Sequence, residues 1–230
     1  MYYPKPPEAL LKYGSKNIIE KLTPYLTEER CQRIEKLLDN KIDSISIAVE
    51  APCDIHNATA IVRTSEALGI SNVDIVEWEG KQKISSMITR GAQKWTNVNF
   101  IKEWDSFIDK IRNDPSKPIL IGACVERGTP LEEIPLDRPI CILLGNENRG
   151  LSQRAKEQCD KLYNIPMYGM TESFNLSVAA AMTLYSITNR KRVLMKKNSD
   201  LSQLKREELK AEYYFKSLGT RIAYSCLKST

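Results

Sequence analysis

One histidine, His56, stands in the 230-residue chain, and its six cysteines (Cys31, Cys53, Cys124, Cys141, Cys159, Cys226) include no C-x-x-C pair. So few imidazoles and no thiolate pairs leave no ligand set for a structural zinc, and no metal is expected. No stretch reaches the roughly 18 uninterrupted apolar residues of a membrane span. Residues Met1 to Pro7 also lack the charged-then-apolar order of a signal peptide. These absences predict a cytoplasmic protein with reduced thiols and no membrane contact. Internal repeats and low-complexity tracts are absent as well.

What is present is a chain with enough apolar residues, 42%, to bury a full core in one globular domain with appendages. Its net charge of +5 is unevenly placed. Residues 186–230 hold 11 basic and 4 acidic side chains, net +7, while the first 185 hold 23 basic and 25 acidic, net −2. A near-neutral body with a basic end suits a polyanionic partner, because clustered cations release phosphate counterions on binding. A charge run of this kind is also what a solvated helix face looks like.

Apolar runs recur at Ile45–Val49, Val73–Val76, Val98–Ile101, Ile119–Ala123, Ile140–Leu144 and Leu162–Ile165, separated by polar or helix-like stretches. Short β-branched runs alternating with helices predict a mainly parallel six-stranded α/β sheet covered on both faces. Helices are expected at Glu28–Asn40, Ala58–Leu68, Trp104–Arg112, Ser152–Cys159 and Asn175–Asn189, with two charged segments across Leu201–Leu227. The predicted organisation is an N-terminal helical extension (1–43), an α/β domain (44–190) and a basic C-terminal helical extension (191–230). The hinge is placed at Asn198–Ser202.

Three segments can carry chemistry. The first, His56 to Thr64, follows the first strand and turns Arg63 roughly 200° around the helix axis from Ile61, away from the packed face. A guanidinium at the carboxyl edge of a strand fits phosphate or carboxylate, although it is equally an ordinary surface arginine. His56 is of the residue type that serves as a general base, and it stands equally where a helix start takes a capping or packing group. The second, Ile142 to Ser152, runs a strand through a glycine turn into a helix. It is no P-loop, since Leu151 stands where the phosphate-binding lysine is required, and it lacks the G-x-G-x-x-G of a dinucleotide site. Gly145 would let a ligand approach the backbone, beside the carboxylate of Glu147. The third, Ile165 to Ser177, offers Ser173 and Asn175 either as helix N-caps or as groups that orient a ligand.

Taken in order, these segments resemble the TrmH-type branch of the SPOUT superfamily, the trefoil-knotted RNA ribose 2′-O-methyltransferases. The resemblance rests on Asn57 with Arg63 six residues on, on Gly145-x-Glu147-x-x-Gly150-Leu151-Ser152, and on the stretch from Ile165 to Ala179. Phe174 replaces the commoner Leu and Ile55 the commoner Pro, with no functional group removed. The resemblance implies a C-terminal deep trefoil knot, a homodimer packed through the helix from Asn175 to Asn189 and the N-terminal helix, and S-adenosylmethionine as methyl donor. It implies Arg63 nearest the reacting hydroxyl, supported by Asn57, Glu147, Ser173 and Asn175, with the cofactor against Gly122, Leu144, Gly145, Ile165, Met170 and Phe174. Arg30, Arg33, Arg63, Arg190, Arg192, Lys196 and Lys197 would hold RNA.

About 44 residues precede the first strand, too few for an independent RNA-binding domain, and both ends carry extensions. The implied substrate is therefore a D-loop guanosine of tRNA, methylated on its ribose. A ribosomal RNA 2′-O-methyltransferase is the alternative within the family, and a non-catalytic knotted RNA-binding protein or a small-molecule methyltransferase are those from other classes.

Overall fold

The computed structural model describes residues 6–80 and 89–228. Its regular elements are α1 (Pro6–Tyr13), α2 (Ser15–Leu22), α3 (Glu28–Leu38), β1 (Ile45–Glu50), α4 (Ile55–Ala67), β2 (Asn72–Val76) and β3 (Asn97–Ile101). There follow α5 (Trp104–Arg112), β4 (Ile119–Ala123), β5 (Thr129–Pro130), β6 (Ile140–Leu144), α6 (Gln153–Gln158), β7 (Lys161–Asn164), α7 (Leu176–Met195), α8 (Gln203–Leu218) and α9 (Thr220–Lys228). Two units result. One is the α/β body, Ile42–Lys197, and the other joins the chain up to Lys41 with the chain from Asn198 onward. The two predicted extensions thus form a single helical unit, and residues 191–197 belong to the body.

Among the described residues of the body, seven parallel strands lie in the order β3-β2-β1-β6-β4-β7-β5. Alternate residues explain the apolar runs. Ile140, Ile142 and Leu144 of β6 face a core shared with Ile61 and Val62 of α4 and Ala180, Leu184 and Ile187 of α7. Cys141 and Leu143 face the opposite layer, with Phe107 and Ile111 of α5 and Ala155 of α6. A sheet buried on both faces leaves no polar alternation to read. Burial has a further effect on two thiols in this region, since it pushes Cys141 and Cys159 up to about 12 and leaves them protonated and unreactive.

The expected count of six strands is corrected to seven. The extra strand, β5, is two residues long and pairs with β7 through Thr129 opposite Tyr163 and Pro130 opposite Asn164. Helix α7 runs to Met195, past the expected end at Asn189, and stops where Lys196 takes a left-handed conformation (φ 53°). Helix α4 starts three residues early because Asp54 caps it, accepting from the His56 amide at 2.8 Å.

The helical unit is built on α8, whose Leu209, Ala211, Tyr213, Tyr214 and Phe215 are buried. In the same unit Ile18 and Leu22 of α2 and Ile34 and Leu38 of α3 are buried too. Arg206 of α8 pairs with Glu35 at 2.6 Å and Asp39 at 2.8 Å, and Lys210 pairs with Glu35. Among the described residues no helix is long and apolar enough to cross a membrane, and no cluster of three or more His, Cys, Asp or Glu could hold a metal ion.

Candidate active site

Between β1 and β6 the chain order of the sheet changes direction: from β1 it proceeds outward through β2 and β3, and β6 returns to β1's other side. In open α/β sheets ligands bind at such a switch, outside the carboxyl ends of the strands. The turn after β6 lies there. Its organiser is Asn146, which sequence reasoning passed over. The Asn146 carboxamide oxygen accepts from the amides of Asn148 (2.9 Å) and Arg149 (3.2 Å), while its Nδ2 donates to the Ala51 carbonyl beyond β1 at 2.6 Å. Asparagine next to a glycine after a strand is the residue expected to fold a turn on its own backbone, so the signal was available.

Glu147 fastens this turn to the start of α4. Its Oε2 accepts from the Cys53 amide at 2.6 Å, and its Oε1 accepts from Asn57 Nδ2 at 3.0 Å and from the Asp54 amide at 3.4 Å. Partial burial raises the carboxyl's pKa, but these donors outweigh it and hold the group below its ordinary value. Asn57 in turn accepts at Oδ1 from Asn175 Nδ2, 3.3 Å away. Asn175 is the N-cap of α7, accepting from the Ser177 amide at 2.9 Å and the Val178 amide at 3.4 Å. Three segments therefore meet in one hydrogen-bonded chain, Glu147 to Asn57 to Asn175, whose two links span 90 and 118 residues of sequence.

Arg63 is exposed on α4, turned away from fully buried Ile61. Among the described residues no hydrogen bond or ion pair occupies its guanidinium. A cleft of about 260 Å³ opens beside the turn, walled by Leu144, Gly145, Leu151, Phe174 and Leu176, with Glu126, Glu147, Glu172 and Ser173 also lining it. Of the expected cofactor contacts, Leu144, Gly145 and Phe174 line this cleft. Gly122, Ile165 and Met170 do not, and Met170 is fully exposed.

The structure gives both glycines a packing reason. A Cβ on Gly145 would lie 2.1 Å from the Gly150 carbonyl carbon, because Asn146 and Gly150 exchange backbone hydrogen bonds of 3.0 and 2.8 Å and close the turn on itself. A Cβ on Gly122 would lie 2.7 Å from both Cys159 Sγ and Leu151 Cδ1. Protein packing against protein requires both glycines.

The expected RNA-binding cations also divide. Arg190 donates to the carbonyls of Leu131 (2.8 Å) and Ile134 (2.6 Å), and Arg192 to that of Leu68 (2.8 Å), so both tie the body together. Arg30, Arg33, Lys196 and Lys197 are exposed, and among the described residues their side chains have no partner.

The fold and this three-segment site define an RNA methylase body: residues 44–185 match the SpoU rRNA Methylase family, and the chain belongs to it. At the level of individual proteins, it is 32% identical over 195 residues to the tRNA (guanosine(18)-2′-O)-methyltransferase of Borreliella burgdorferi, covering 84% of this chain and 88% of that one. It is 28% identical over 184 residues to the protein of the same name from Escherichia coli, covering 78% and 80%. Among solved structures, the A. aeolicus TrmH/SpoU tRNA modifying enzyme superposes with a TM-score of 0.74 at 26% identity, over 84% of this chain and 98% of that one. The SpoU methyltransferase AviRb of Streptomyces viridochromogenes in complex with AdoMet shares the fold, with a TM-score of 0.60 at 23% identity over 68% and 62%.

Proposed function

We propose that the chain is an S-adenosylmethionine-dependent methyltransferase acting on the ribose 2′-hydroxyl of guanosine 18 in the D-loop of tRNA, as the names of its relatives describe for them. The observation that carries the reading is the hydrogen-bonded chain Glu147–Asn57–Asn175, whose middle member starts the helix that presents Arg63. A protein that only bound RNA would have no need to fix the start of α4 to both the β6 turn and the cap of α7.

The cleft fits the methyl donor in kind. Apolar Leu144, Leu151, Phe174 and Leu176 suit a purine ring, and the carboxylates of Glu126, Glu147 and Glu172 suit a cationic sulfonium and ammonium. Bound there, S-adenosylmethionine supplies an electrophilic methyl group. The chain's own task is alignment. Arg63 grips the phosphate beside the target ribose with two parallel N–H donors. That would fix the 2′-hydroxyl in line for transfer, its proton passing to the gripped phosphate or to Arg63 as the O–C bond forms and the methyl–sulfur bond of the donor breaks. Asn57 and Asn175 hold the helix start, and with it Arg63, in register. Ser173, at the mouth of the cleft, orients the ribose.

The trefoil knot and the homodimer implied by the resemblance belong to the same reading, as does a cytoplasmic location alongside tRNA. Helix α7 supports the dimer by leaving Val178, Met182 and Tyr185 exposed on one side while Ala180, Leu184 and Ile187 are buried. Sedimentation of the purified chain tests it, and a monomer overturns it. The activity is tested by incubating the protein with methyl-labelled S-adenosylmethionine and total RNA and mapping the labelled nucleotide. Label on the ribose of guanosine 18 of tRNA is expected, and label in ribosomal RNA, or none in RNA, overturns the assignment.

A further inference from the structure

A second cleft, about 670 Å³ and larger than the first, lies at the carboxyl ends of β1 and β2 and is lined by Ala51, Glu77, Trp78, Glu79, Lys102 and Arg149. The proposed reaction does not use it. It nevertheless touches the same turn, since Arg149 lines both clefts and Ala51 is the residue whose carbonyl Asn146 Nδ2 holds at 2.6 Å. Two backbone positions at its floor, Ala51 (φ 41°) and Glu77 (φ 53°), adopt left-handed conformations without being glycine, the kind of strain that collects at ligand sites.

Its side chains have distinct states. Glu77 is engaged by Arg154. Glu79 is exposed, and among the described residues its carboxylate has no partner, nor do the side chains of Lys102 and Arg149. The Trp78 indole is folded onto Gly80, where a Cβ would lie 2.5 Å from the ring. An aromatic plane, one uncommitted carboxylate and two cations in one cleft make a nucleotide site in chemical terms. Aromatic rings stack on splayed bases, and pockets of this kind read the Watson–Crick edge by hydrogen bonds.

The carboxylate selects the base. An ionised carboxylate only accepts, through two oxygens. Guanine alone among the common RNA bases presents two adjacent donors, N1–H and N2–H, on its Watson–Crick edge. Adenine would set its N1 lone pair against the carboxylate. We infer that this cleft receives the guanine whose ribose is methylated: Trp78 stacks on it, Glu79 accepts from N1–H and N2–H, and Lys102 and Arg149 hold the flanking phosphates. The inference rests on the proposed function and adds the source of its base choice.

The test uses tRNA assembled from synthetic halves with either guanosine or inosine, which lacks the N2 amine, at the target position. Wild type should prefer guanosine in kcat/KM by about 10- to 100-fold, the effect of one charge-assisted hydrogen bond. Glu79→Gln should lose a similar factor on guanosine, bring the guanosine-to-inosine ratio toward one, and bind S-adenosylmethionine as before. Trp78→Phe should keep the ratio, and Trp78→Ala should raise KM for tRNA. A Glu79→Gln protein with the wild-type ratio overturns the cleft assignment. If wild type itself labels something other than a tRNA guanosine, it is the functional reading that fails.

Discussion

Glu147 shows how one side chain assembles a site. Its two oxygens take three donors from the Cys53 and Asp54 amides and Asn57, so removing the charge should loosen the β6 turn and the α4 start together. Glu147→Gln should cost about 1.5 kcal/mol in urea unfolding at neutral pH, the low end of the range for hydrogen bonds to charged groups, because the residue is half-exposed. The pH dependence follows from its direction of shift. A carboxyl held below its ordinary value of 4.5 contributes stability that is fully present above 4.5 and is lost as pH falls through the lowered native value. The gap between wild type and Glu147→Gln should therefore be constant from neutral pH down to about 5 and shrink only in stronger acid. A gap that closes between pH 6 and 8 would mean that another group governs the turn. At this scale Asn57, Glu147 and Asn175 were legible as types at fixed spacings. What each touches was not, because a glycine that permits a ligand and one demanded by its own turn read alike in sequence.

At the scale of elements, legibility followed burial. Strands β4 and β6 carry no polar side chain on either face and stand out as runs, whereas β5 is a dipeptide containing proline and has no pattern to show. The end of α7 was hidden for another reason. Arg190, Lys191 and Arg192 look like a solvated charge run, but all three reach back to backbone carbonyls of the body, Lys191 to that of Leu136 at 2.7 Å. A similar device secures α5. Asp74 of β2 is 1% exposed and accepts from Lys110 Nζ at 2.6 Å and from Asn99 Nδ2 at 2.8 Å. Lys110→Met would leave a buried carboxylate with one neutral donor. We expect a loss of about 3 kcal/mol, the low end for breaking a buried pair, since the Lys110 side chain is 42% exposed. Asp74→Asn with Lys110→Met should recover part of it. A single Lys110→Met variant with unchanged urea midpoint would show that water already satisfies Asp74.

For the molecule as a whole, the basic end divides by task more finely than its charge of +7 implies. Besides the three cations tied to the body, Arg206 and Lys210 neutralise Glu35, Lys216 pairs with Glu212, and Lys205 with Glu208. These pairs hold helices or sit along one of them, and they have little charge left for a polyanion. Lys196 and Lys197, just past α7, are exposed and without a partner among the described residues, so the proposed grip on tRNA falls chiefly to them, with Arg30 and Arg33. A phosphate contact is counted by salt, since each one lost lowers the slope of log affinity against log salt by about 1. The double variant Lys196→Ala, Lys197→Ala should therefore bind tRNA more weakly at low salt with a slope shallower by about 2, and should unfold at the wild-type temperature. Arg206→Ala should do the reverse, lowering the melting temperature through the Glu35 and Asp39 pairs while leaving the salt slope alone. If Arg206→Ala flattened the slope and the lysine pair did not, the helical unit rather than the end of α7 would be where the phosphates sit.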